Sequence, residues 1–268
     1  MSSSSLVLFL GNLGLVGACV LFLSPIPTMM RIRRSQSTLF FSPDPYIFSL
    51  INCVFWTLYA LPSVTPDRTS PLITNCIGAV INLAYIVVFA NNNPPETFWS
   101  KVWAMAGTIA FVFSVIFFFA PSHASWFGLP SETSTAEIES NLLGTLSDVF
   151  NIMMYGGPLT IMSTVIRTKS VEFMPLPLTV GTSLCSFTWL AYGTVVGDKF
   201  IIIPNGGGAV FCVAQIILYC TYCGTEESRA AFERVRLEKE KFGGADGGRS
   251  EEEQQQRREA TTLLYGGA

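Results

Sequence analysis

Seven stretches of about twenty mainly apolar residues, at roughly 6–27, 45–62, 71–91, 102–121, 141–166, 174–196 and 200–222, are the feature that most restricts what this chain can become. A hydrocarbon layer about 30 Å thick asks for ~20 such residues per helix, and only structures that satisfy their own backbone hydrogen bonds can cross it. The charge distribution agrees: 18 of the 35 Asp, Glu, Lys and Arg residues lie in 224–268, so the body of the chain is almost uncharged. The sequence therefore predicts an all-α membrane protein with seven transmembrane helices.

The same counts exclude several classes. A net charge of −3 without a long basic run does not suit a nucleic-acid reader. One histidine, His123, leaves no basis for a histidine metal centre, and the Cys220–Cys223 pair lacks a second pair of ligands, so neither metal nor cofactor is expected. No GxxxxGK[ST] loop holds a nucleotide, and no nucleophile, base and orienting group stand at a recognisable spacing, so the chain does not read as an enzyme.

Punctuation between the spans sets the orientation. Arg31, Arg33 and Arg34 follow the first span, Pro94 and Pro95 the third, and Pro130 with Glu132 the fourth. Lys and Arg concentrate after spans one, three, five and seven, which places those connections in the cytoplasm and the N-terminus outside. Met1–Ser5 carries no positive charge and three arginines follow span one, so that span reads as retained and not as a cleaved leader.

Sliding the chain along itself exposes a duplication. At an offset of 133, Gly11 falls on Gly144, Pro25 on Pro158, Arg34 on Arg167, Ser37 on Ser170, Phe40 on Phe173, Trp56 on Trp189 and Tyr59 on Tyr192. After a three-residue gap the register resumes with Asn75 on Asn205, in TNCIG and PNGGG. Two copies of a three-helix unit account for this. Because three helices would leave the second copy inverted, the unmatched fourth span restores its direction. The expected organisation is a first repeat over 1–93, a linker helix with its loops over 94–139, a second repeat over 140–223 and a cytoplasmic, largely disordered tail over 224–268 with a helical-looking stretch at Glu226–Phe242. The two three-helix bundles are then parallel, and a ligand belongs between them near mid-depth.

Uncharged polar and aromatic groups inside the spans either pack helices and anchor interfaces or serve a neutral ligand. Asn75 and Asn205 offer donors and an acceptor without the cost of an intramembrane charge, and Trp56 and Trp189 supply flat walls for the C–H faces of a ring. Asn52 and Cys185 lie one helical turn from the tryptophans, and Leu21, Met153 and Met154 add bulk, so the cavity reads as tight. Pro25, Pro45, Pro158 and Pro175 stand at or near the cytoplasmic span ends, where proline breaks or kinks a helix; Pro27 and Pro177 are additional prolines that shift that geometry. Asp148 is the one acidic residue well inside a span, and its register partner, Leu15, is apolar.

The strings GNLGLVGACVLFLSPIPT, NCVFWTLYALP, MMYGGPLTIM, RTKSVEFMP and IPNGGG, with the 3+1+3 layout, resemble the SWEET sugar transporters of plants over residues 9–224. The resemblance implies bidirectional facilitated transport of a sugar, glucose or a related hexose being indicated by the tight cavity. It places the Asn and Trp pairs in the sugar pocket, makes the four prolines an inner gate and hinge, and makes Tyr59 and Asp198 an outer gate. It further implies a plasma-membrane protein in contact with lipid that forms a homo-oligomer, a trimer among the forms. Two rivals share parts of this pattern. Proton-coupled PQ-loop carriers share the fold, but Ser24-Pro25 and Gly157-Pro158 stand where their Pro-Gln dipeptides belong; a seven-helix receptor has no reason to contain the duplication.

Overall fold

The computed structural model describes residues 3–38, 41–118 and 135–243, and those residues form ten helices without a strand. In chain order they are α1 Ser3–Leu23, α2 Ile26–Ser35, α3 Asp44–Tyr59, α4 Thr69–Ala90, α5 Phe98–Phe118, α6 Thr135–Met153, α7 Gly156–Thr168, α8 Leu176–Val196, α9 Lys199–Tyr222 and α10 Glu226–Gly243. The chain is an all-α membrane protein in 3+1+3 order, spans one and five each being built from two helices. His123, Pro130, Glu132, Phe40 of the repeat and the tail beyond Gly243 lie outside the described residues; the helical stretch expected in the tail is α10.

Four helical runs, Ser4–Ser35, Thr69–Ala90, Glu137–Thr168 and Lys199–Tyr222, are long and apolar enough by length and composition to cross a bilayer. The other three positions are held by α3, α5 and α8. At 16 residues α3 is shorter than its predicted span, because the chain turns at Ala60–Val64, where the Val64 N–H bonds the Leu61 carbonyl at 2.9 Å. Hydroxyl residues dilute α8, and two of them are satisfied inside the helix: Thr188 and Thr194 donate to the Leu184 and Leu190 carbonyls at 2.7 and 2.8 Å.

Proline explains the divided spans. It has no N–H to donate, so span one breaks at Ser24–Pro25, where the Ser24 hydroxyl and N–H both turn to the Leu21 carbonyl at 2.7 and 3.2 Å. In span five the break falls at Met154–Tyr155, three positions earlier in the repeat register than in span one, and Pro158 sits within the first turn of α7.

The chain divides into two compact units. The larger comprises Met1–Tyr155 with Gly181–Ala209. Within it, α3 packs on α4 and α6, and Ile32, Phe55, Phe89 and Phe98 are fully buried in one cluster that also anchors the linker helix α5 through Phe98 and Val112. Outward-facing apolar side chains such as Leu8, Val80, Trp103 and Phe111 would be an error in water; against lipid tails they are the expected surface. The smaller unit, Gly156–Val180 with Val210–Ala268, closes around Val165, Val171 and Met174. There Thr225 caps α10 through the Ser228 N–H at 3.2 Å and donates to the Lys169 carbonyl at 2.8 Å. Lys169 (φ 53°) and its register partner Gln36 (φ 50°) both end a helix in the left-handed region.

The duplication is visible in packing as well as in sequence. Gly11 faces Ser70, and Gly144 faces Phe200, the repeat-related pair. A Cβ at Gly144 would lie 2.5–2.7 Å from three Phe200 ring carbons. Phe200 is buried and its N–H is tied to Asp198, so it has little room to yield. Gly144→Ala should therefore cost about 1–3 kcal/mol of stability, read as a lowered thermal midpoint of the purified protein in detergent; an unchanged midpoint would contradict this close approach.

Candidate functional site

The site follows from the repeat register carried into three dimensions. A cavity of about 130 Å³ opens in the larger unit. Four register pairs line it: Asn75 and Asn205, Trp56 and Trp189, Ala18 and Asn151, Pro71 and Ile201. The remaining wall is Phe22, Asn52 and Thr74.

The two carboxamides are held identically. Asn75 Nδ2 donates to the Pro71 carbonyl and Asn205 Nδ2 to the Ile201 carbonyl, each at 2.8 Å and each four residues back on its own helix. That bond uses one amide hydrogen and orients the group, leaving the chemistry of an acceptor and a second donor for a ligand. Asn52 adds a buried Oδ1 without a hydrogen-bond partner, an acceptor that a ligand hydroxyl or a water would satisfy. Each tryptophan is braced by the tyrosine one turn on: Trp56 on Tyr59 at 5.5 Å and Trp189 on Tyr192 at 5.4 Å, both edge to face. Trp189 also fills the space a side chain at Gly14 would need; a Cβ there would lie 2.8 Å from its ring.

Trp56 also belongs to a buried cluster with Tyr59, Tyr192, Leu143, Phe200 and Ile201. Asp198 meets this cluster through Tyr59. The Tyr59 hydroxyl lies 2.8 and 2.9 Å from its two carboxylate oxygens and donates to them, and Arg68 Nε donates to Oδ2 at 2.7 Å. The Asp198 side chain is 2% exposed and that of Arg68 13%, so this is a largely desolvated ion pair. The same carboxylate caps α9: Oδ1 accepts the Phe200 and Ile201 N–H groups at 3.1 and 3.4 Å. Gly197, at φ 73°, supplies the left-handed residue that lets α8 end and Asp198 turn inward.

Placed against the expectations, Asn75, Asn205, Trp56, Trp189 and Asn52 share one cavity, and Tyr59 meets Asp198. Cys185 does not line the cavity; it lies beside Gly17 of α1. Met153 and Met154 are exposed, and Leu21 lies near Gly181, so bulk at the wall comes from Phe22 instead. Of the prolines, Pro25 breaks span one, Pro45 lies in the first turn of α3, Pro158 in the first turn of α7, and Pro175 precedes α8, with its carbonyl accepting the Thr179 N–H at 3.1 Å. Asp148 is buried on α6 one turn before Asn151, with Oδ1 unpartnered. Among the described residues no group of three His, Cys, Asp or Glu side chains could hold a metal.

Asn151 and Arg68 are among the residues that the sequence reading does not single out. Asn151 carries the uncharged amide inside a span that singled out Asn75, and it lies opposite Ala18 in the register. Arg68 falls on Asp198 at the offset of 130 that aligns Asn75 with Asn205, and both stand immediately before the third helix of their copy.

Comparison with known proteins gives the same picture. A family model described as a sugar efflux transporter for intercellular exchange matches residues 8–96 and 141–227, the two copies of the repeat without the linker. The bidirectional sugar transporter SWEET5 of Arabidopsis thaliana is 37% identical over 215 residues, covering 79% of this chain and 85% of the relative. The bidirectional sugar transporter SWEET4 of Oryza sativa is 38% identical over 213 residues, 78% of each chain. A eukaryotic SWEET transporter solved at 3.7 Å resolution superposes with a TM-score of 0.72 at 34% identity, covering 84% of this chain and 100% of that one. With both repeats matched by the family model, and identities above one third over most of each relative, this chain belongs to the SWEET family.

Proposed function

We propose that the protein is a facilitative uniporter for a hexose of the glucose type, working by alternating access and driven only by the sugar gradient. The observation that carries the reading is the pair of identically anchored carboxamides, Asn75 and Asn205, in one cavity walled by Trp56 and Trp189. Neutral amides suit a neutral polyol, and two indoles at register positions suit the two faces of one ring. A cavity of about 130 Å³ suits a single pyranose better than a disaccharide of about twice its size. Cys185, outside the cavity lining, has no contact with the sugar in this assignment.

The Tyr59–Asp198–Arg68 cluster serves as the outer gate, with the N-terminus outside and α10 in the cytoplasm, as the Lys and Arg distribution supports. Pro25, Pro45, Pro158 and Pro175 serve as hinges at the opposite ends of their spans. Residence in the plasma membrane and assembly as a homo-oligomer, a trimer among its forms, rest on family likeness.

Purified protein alone in liposomes should equilibrate labelled glucose in both directions with no gradient of a second solute, and sucrose at least tenfold more slowly. Failure to equilibrate glucose would end this reading. A second reading, proton-coupled carriage, is favoured by the unpartnered buried oxygen of Asp148. An imposed pH gradient separates the two: uphill glucose accumulation in the parent that is lost in Asp148→Asn would establish coupling, and equal responses would dismiss it.

A further inference from the structure

The two copies of the third helix carry the site on segments of unequal helix propensity. The segment of α4 reads Thr74-Asn75-Cys76-Ile77-Gly78; the equivalent residues of α9 are Pro204-Asn205-Gly206-Gly207-Gly208. Proline and glycine are the poorest residues for a helix interior, yet here they surround the one residue that must present a carboxamide at a fixed height. Such a segment needs restraint from its neighbours.

Two hydroxyls supply it. Tyr155 Oη donates to the Pro204 carbonyl, and Ser186 Oγ donates to the Asn205 carbonyl at 3.1 Å. These are the peptide groups on either side of Asn205. Both hydroxyls can approach because residue 208 has no side chain: a Cβ at Gly208 would lie 2.5 Å from Ser186 Oγ and 3.2 Å from Tyr155 Oη. The first copy has the same shape without the hydroxyls. Gly78, the register partner of Gly208, is faced by Phe22 and Cys53, the register partners of Tyr155 and Ser186; a Cβ there would meet them at 2.5 and 2.7 Å. The phenol and the serine therefore stand only in the copy whose helix is intrinsically weak. Tyr155 also lies in the break between α6 and α7, so its bond joins that break to the segment bearing Asn205.

We propose that Tyr155, assisted by Ser186, is a positioning residue for transport: by holding the peptide groups that flank Asn205, it keeps the second carboxamide in register with Asn75. The transport readout of this idea rests on the sugar reading above; the structural readout does not.

Tyr155→Phe, which restores the ring of Phe22 without its missing hydroxyl, should raise the KM for glucose about fivefold, the effect of one lost hydrogen bond, while the maximal rate stays within about twofold. Gly206→Ala has open space, its nearest neighbour lying 3.8 Å from the new Cβ, and strengthens the helix without touching Tyr155. Added to Tyr155→Phe it should return KM toward the parent value. A role of Tyr155 in touching sugar directly, or in folding alone, would not be rescued this way. Independently of any sugar, amide deuterium exchange over residues 203–209 should be faster in Tyr155→Phe than in the parent. Ser186→Cys, which installs the first-copy residue, provides a second variant should Tyr155→Phe fold poorly, with the same direction in both readouts. Unchanged exchange in these variants, or a raised KM that Gly206→Ala leaves untouched, would overturn the proposal. A parent that moves no hexose would instead refute the sugar reading, and exchange would still decide on the brace.

Discussion

Replacing both cavity amides, Asn75→Ala with Asn205→Ala, should raise the KM for glucose about a hundredfold, whereas either change alone should raise it about tenfold. Each amide offers the sugar up to two hydrogen bonds, and a ligand hydroxyl buried without its partner loses about 1–1.5 kcal/mol. That is about tenfold per site, and about a hundredfold for the pair if the two contributions add. The bonds to the Pro71 and Ile201 carbonyls orient the amides but are not needed for the helices, so folding should survive; thermal unfolding of the double variant checks this. Asn205→Asp is the sharper control. It keeps the size, removes the N–H donated to Ile201 and brings a charge into the cavity, so it should be at least as damaging as alanine. A double variant that still equilibrates glucose at the parent rate would remove the amides from the site.

The second large effect is expected at Asp198. Alanine there leaves the Arg68 guanidinium without its partner, removes the acceptor for the Tyr59 hydroxyl and uncaps α9 in one step. Breaking a desolvated ion pair from one side costs about 3–5 kcal/mol, and losing an N-cap about 1 kcal/mol. Transport should fall by well over tenfold, and an aqueous quencher added on the gate side should reach Trp56 and Trp189 more readily than in the parent. Asp198→Asn keeps an acceptor for Tyr59 and for the α9 amides while discarding only the charge, so it should fall between the two. Equal activity of the alanine and asparagine forms would show that the cap and hydrogen bond contribute nothing to the gate.

How much of this was readable beforehand differs by feature. The spans, the duplication and the Asn and Trp pairs were legible because each depends on residue type at a fixed spacing, which survives translation into helix faces. Cys185 stands outside the cavity lining although it shares a register with Asn52, and Asn151 and Phe22 line it without a register partner of their own kind, Ala18 and Tyr155 standing in the other copy, so identity at the repeat offset could not single them out. The length of α3 was overestimated because hydropathy continues through Ala60 and Leu61 after the helix has ended. Arg68 has no signal of its own in the sequence, since a lone cation in a loop is ordinary; only its seat before α4, facing the residue that occupies the same seat before α9, gives it meaning.

That shared seat has a consequence for ancestry. Were the polypeptide halved and assembled from two indistinguishable copies, the places of Arg68 and Asp198 would necessarily hold one and the same amino acid, and like would confront like across the closure. A lock made of opposite charges at twin addresses is available only to a fused molecule whose halves are free to diverge.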